Sequence, residues 1–99
     1  MRAVVNVVSD RIADATGWRA REVRVAEDNA TLEYILKSTG LKEGNSTLYD
    51  LVTDKNGFRN DFSLFISGEF MQGSVALERV IRDSEQIHIW DWPFSVRDS

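Results

Sequence analysis

The chain reads as an α+β domain of two layers, a mixed sheet of four or five strands packed on one main helix. Three observations lead there. Valine-rich residues 2–8 open the chain as a strand, and residues 86–92 (QIHIWDW) close it as another. Apolar residues at helical spacing are confined to the middle, at Leu32, Ile35 and Leu36. The two end strands are apolar almost without interruption (VVNVV, IHIWDW), which suits central strands buried on both faces and lying parallel.

The elements follow in order. Residues 2–8 combine β-branched side chains with no breaker, hence the first strand. Residues 9–18 (SDRIADATGW) are rich in turn formers and are expected to be a connecting loop holding at most one helical turn. Residues 19–25 alternate, with Glu22 and Arg24 out and Val23 and Val25 in, as a half-buried strand antiparallel to the first. Asp28, Asn29 and Thr31 offer N-caps for the helix that follows, and Gly40 is placed to end it. A shorter helix is expected after Ser46, with Leu48, Leu51 and Val52 at the same spacing and Gly57 as its stop. Residues 61–67 alternate Phe62, Leu64 and Ile66 on one face. Residues 68–73 form a hairpin with Met71 and Gln72 starting a short return strand, and residues 77–81 form a helical turn.

Length, composition and charge narrow the function. A chain of 99 residues fits one domain, here residues 1–99 with a short tail at 94–99. The net charge of −4 argues against a general nucleic-acid binder, and Arg11, Arg19, Arg21 and Arg24 alternate with acids as a solvated face would. With no cysteine there is no disulfide, zinc knuckle or thiol nucleophile. No apolar run approaches the roughly 18 residues that span a bilayer, so a soluble, cytoplasmic protein is expected.

The candidate motifs for chemistry fail on their own requirements. Gly68 to Ser74 has P-loop glycine spacing but lacks the lysine before Ser74 and a long helix after it. Asp54-Lys55-Asn56-Gly57 suggests a calcium loop, yet Val52 and Ser63 would stand at its first and last ligand positions. Asp50 and Asp54 share a helical face with no histidine beside them. His88 is the only histidine, and no nucleophile elbow accompanies it. The expectation is therefore no catalytic residue, no metal and no cofactor.

The remaining feature is aromatic. If Ile87 and Ile89 point at the helix, His88, Trp90 and Trp92 point to the other face of the sheet, and Phe65 joins them from the neighbouring strand. Such a face is normally polar. Two readings stand side by side: a surface for a protein partner, extended by Pro93 and Phe94, or rings covered by residues 9–18 or by the tail.

Ile66-Ser67-Gly68 and the stretch from Leu77 through Trp90 resemble a family passage written V/I-N-G, then Leu, then L/I-x-D-G-D-E-V/I. Asp83-Ser84-Glu85-Gln86 stands where that family has its acidic turn, Pro93 where its proline-rich exit lies, and Thr31-Leu32 resembles its helix entry. The family is the β-grasp (ubiquitin-like) sulfur carriers, such as the small subunit of molybdopterin synthase and the thiamine sulfur carrier. The resemblance implies a β-grasp fold and docking to a larger enzyme subunit or an activating enzyme. It also implies a terminal Gly-Gly whose carboxylate is adenylated and thiolated. No glycine follows Gly73, so the expected role is a non-enzymatic interaction module or accessory subunit, with an atypical sulfur carrier as the alternative.

Overall fold

The structure, a computed structural model, describes residues 1–91. The first strand, β1 (Arg2–Val7), leads into α1 (Asp10–Thr16) and then β2 (Ala20–Arg24). Two helices follow, α2 (Leu32–Lys37) and α3 (Leu48–Val52), and then a small hairpin of β3 (Thr53–Asp54) and β4 (Gly57–Phe58). The chain continues through β5 (Phe62–Ile66), β6 (Glu69–Met71), α4 (Gly73–Leu77) and β7 (Gln86–Asp91). No helix is long and apolar enough to cross a membrane among the described residues.

Five strands form one sheet in the order β2-β1-β7-β5-β6. The first and last strands lie parallel at its centre, Val5 opposite Ile87 and Val7 opposite Ile89, as their unbroken apolar character predicts. The neighbouring pairings are antiparallel: β1 with β2, β5 with β7 and β5 with β6. Alternation sends Ala3, Val5, Val7, Val23, Leu64, Ile66, Ile87 and Ile89 to one face, where all are buried. Leu32, Ile35 and Leu36 of α2 meet them there, with Leu48 and Val52 of α3 and Ala76 and Leu77 of α4 in the same core.

Local chemistry sets the element ends. Thr31 caps α2, its hydroxyl accepting from Tyr34 N–H at 3.3 Å. The helix stops at Ser38, two residues before Gly40, and the Ser38 N–H and hydroxyl both donate to the carbonyl of Tyr34. Gly40 instead bridges to Thr47. The β5–β6 hairpin turns on Ser67 (φ 51°) and Gly68 (φ 85°), both left-handed as a two-residue primed turn requires. The return strand consequently begins at Glu69, earlier than Met71. The helical turn expected at 77–81 sits earlier too, at α4, and Val80 instead bridges to Thr31.

Residues 9–18 correct the expectation of a loop. Ser9 caps α1, its hydroxyl accepting from Ile12 N–H at 3.3 Å, and Gly17 closes the helix at φ 85°. Ile12 and Ala13 join the buried core and Trp18 packs against it, so this segment serves the helical layer and does not roof the outer face. The expectation that Gly57 stops α3 is also corrected. That helix ends at Val52, and Gly57 belongs to the β3–β4 hairpin, where Asp54 accepts from Asn56 N–H at 2.8 Å.

Candidate partner-binding face

The sheet face turned away from the helices is built by register alone. β7 contributes Gln86, His88 and Trp90; β5 adds Ser63 and Phe65; β6 adds Phe70; β1 adds Arg2, Val4 and Asn6; β2 adds Ala20, Glu22 and Arg24. Direct partners across the strands align Ala20, Asn6, His88, Phe65 and Phe70 in one row over all five strands. The row holds no carboxylate, ammonium or guanidinium. Next to it Trp90 stands opposite Ser63.

Along the row His88 and Phe65 are half-buried and Phe70 is 46% exposed. The Phe65 and Phe70 rings lie 5.5 Å apart at 54°, the tilted geometry that aromatic pairs prefer. Trp90 is 38% exposed and Val8, one residue beyond β1, 37%. Asn6 is held by its amide, which donates to Gln86 Oε1 at 3.0 Å and Ile87 O at 3.3 Å. Ser63 is buried, and its hydroxyl has no partner among the described residues. Charge returns at the rim, where Glu22 pairs with Arg2 and with Arg24, each at 3.2 Å.

Of the residues singled out in sequence, Phe65, His88 and Trp90 come together on this face. Trp92, Pro93 and Phe94 lie outside the described residues. Phe70 and Val8 went unrecognised. The signal for Phe70 was the Ser-Gly turn, which fixes the hairpin register and hence places residue 70 beside residue 65.

Two ionic groups frame the face. At one end of β7, Asp91 accepts from Ser9 Oγ at 2.6 Å and Arg11 Nε at 3.3 Å. Arg11 also reaches Asp61, and the Arg11 and Arg59 guanidiniums lie 4.6 and 5.6 Å from the Phe62 ring. The hydrogen bonds from Arg59 hold the Asp61 carboxyl below its ordinary pKa. At the other end, Glu85 takes a bidentate pair from Arg79 at 2.9 and 3.0 Å, with Arg82 N–H and Ser67 Oγ adding further bonds. Those donors, Arg79 foremost, pull the Glu85 pKa down to about 2 against the desolvation of its site. Both ends of β7 are thus anchored, and its outer side chains are presented on a fixed strand.

A five-stranded mixed sheet with parallel central first and last strands and helices on one face is the ubiquitin-like β-grasp fold. Solved structures with this architecture include SAMP1 from Haloferax volcanii, which matches with a TM-score of 0.66 and 15% identity over 100% of both chains. A structure of H. volcanii small archaeal modifier protein 1 matches at 0.64 and 15% identity, over 91% of this chain and 95% of that one. No protein-family model matches the chain, and no curated protein matches it in sequence.

Proposed function

We propose that the chain is a non-enzymatic, ubiquitin-like interaction module, a small accessory subunit that docks on a larger protein through the outer face of its sheet. The row Ala20–Asn6–His88–Phe65–Phe70 carries this reading, since a sheet face turned from the core is ordinarily studded with charge. Aromatic side chains on a rigid sheet lose little entropy on contact and suit the centre of an interface, while the Arg2–Glu22–Arg24 group supplies a polar rim. The likeness in fold to proteins named as modifiers fits a chain whose work is done by docking.

The test is mutation on the face with the fold as control. His88→Ala with Phe70→Ala should abolish association with the partner and leave the circular-dichroism spectrum and melting unchanged; retained association would sink the proposal. The sulfur-carrier alternative is separated by intact mass after incubation with ATP and an activating enzyme. No mass change is expected, and an adenylate or a thiocarboxylate would overturn the choice.

A further inference from the structure

The ladder between β5 and β6 closes where Leu64 stands opposite Met71. Beyond that pair Gln72 leaves the strand as the cap of α4, and Gly73 bridges to Phe58. Ser63, the next residue along β5, has a strand partner on the β7 side, Trp90, and none on the β6 side among the described residues. A cavity of about 390 Å³ opens at this corner of the sheet, lined by Arg59, Asn60, Phe62, Ser63, Phe70 and Gln72.

The lining is apolar, neutral and short of one hydrogen bond. Phe62 and Phe70 give it aromatic walls, and Phe70 is also the last ring of the outer row. Arg59 is the charged residue among those six, and its guanidinium is already engaged. Its Nε donates to Asp61 at 3.1 Å, its Nη1 donates to Leu51 O at 3.4 Å, and it lies 5.6 Å from the Phe62 ring. Asn60 and Gln72 are exposed and add neutral amides. Ser63 is 1% exposed, and its hydroxyl has no hydrogen-bond partner among the described residues. A buried hydroxyl left unpaired has given up its bonds to water, and a ligand that supplies a partner gains the difference.

We propose that this cavity is the anchor pocket of the docking face and takes a phenol, the side chain of a tyrosine on the partner. The ring lies on Phe70 against the Arg59 guanidinium. The phenol hydroxyl meets that of Ser63, which turns about its Cα–Cβ bond to reach it. A carboxylate would meet Asp61 and an ammonium would meet Arg59, whereas a phenol is neutral and both gives and accepts a hydrogen bond. That the phenol comes from a protein rests on the docking reading; the preference of the pocket for a phenol does not.

The experiment is a titration of the whole, isotope-labelled chain with N-acetyl-tyrosinamide, followed by amide NMR, with the phenylalanine and leucine counterparts alongside. The tyrosine probe should shift the Ser63, Phe70 and Gln72 amides to saturation. The phenylalanine probe should bind about fivefold more weakly, and the leucine probe more weakly still. Ser63→Ala should fold, since it removes an unpaired buried hydroxyl, and should lower the tyrosine probe to the level of the phenylalanine one. Equal binding of those two probes by the unaltered chain, a tyrosine preference that survives in Ser63→Ala, shifts centred away from the cavity, or no saturable binding would overturn the proposal. None of these outcomes decides the docking reading, which is judged by association with a partner when His88, outside the cavity, is replaced.

Discussion

At Gly57 a single hydrogen stands where any side chain would meet backbone. The residue sits at φ 105°, and a Cβ there would lie 2.4 Å from Ser74 N and 2.6 Å from Gly73 C. Gly57→Ala should cost at least about 2 kcal/mol in urea unfolding, because neither the left-handed backbone nor the Ser74 main chain can give way. A loss under about 0.5 kcal/mol would contradict the contact. In sequence Gly57 reads as a helix stop, since its true constraint comes from residues far along the chain. Glu85 is a second residue whose role is set by distant partners. Its carboxyl titrates near 4.5 when unfolded and about 2 when folded, so the unfolded chain binds the proton more readily between those values. The stability it contributes is present above pH 4.5 and drains away as pH falls toward 2, by an amount on the order of 3 kcal/mol. Glu85→Gln should destabilise the protein at neutral pH and flatten that acid limb; an unchanged limb would show that Arg79 does not hold Glu85 as described.

Among the elements, those with a strong apolar period were legible, and α1, whose period is weak, was not. β1, β7, β5 and α2 all carry uninterrupted apolar spacing, and the structure places them where that spacing predicts. The helix α1 escaped because its buried side is small, Ile12, Ala13 and Thr16, and its remaining residues read as turn formers. What fixes it is Ser9 at one end and Gly17 at the other. The Ser9 hydroxyl also donates to Asp91, so this cap ties α1 to the end of β7. Ser9→Ala should cost about 1 kcal/mol and speed amide exchange in both elements together. Faster exchange in α1 alone would separate the cap from the anchor.

Over the whole molecule the sequence carries the parallel centre of the sheet and the aromatic character of its outer face, because both follow from alternation along a strand. It did not carry the lateral register, which depends on turn geometry and on pairing between distant segments. Register is what sets Phe65 beside His88 and Phe70 and makes scattered aromatics into one row. The central claim is that this row meets the partner. It is tested most directly by placing a photo-cross-linking amino acid at Phe70, and separately at the exposed Asp54 of the β3–β4 hairpin, and mapping the cross-links to the bound partner. Cross-links from position 70 alone, lost in His88→Ala, are the predicted result; cross-links from position 54 with none from position 70 would contradict it.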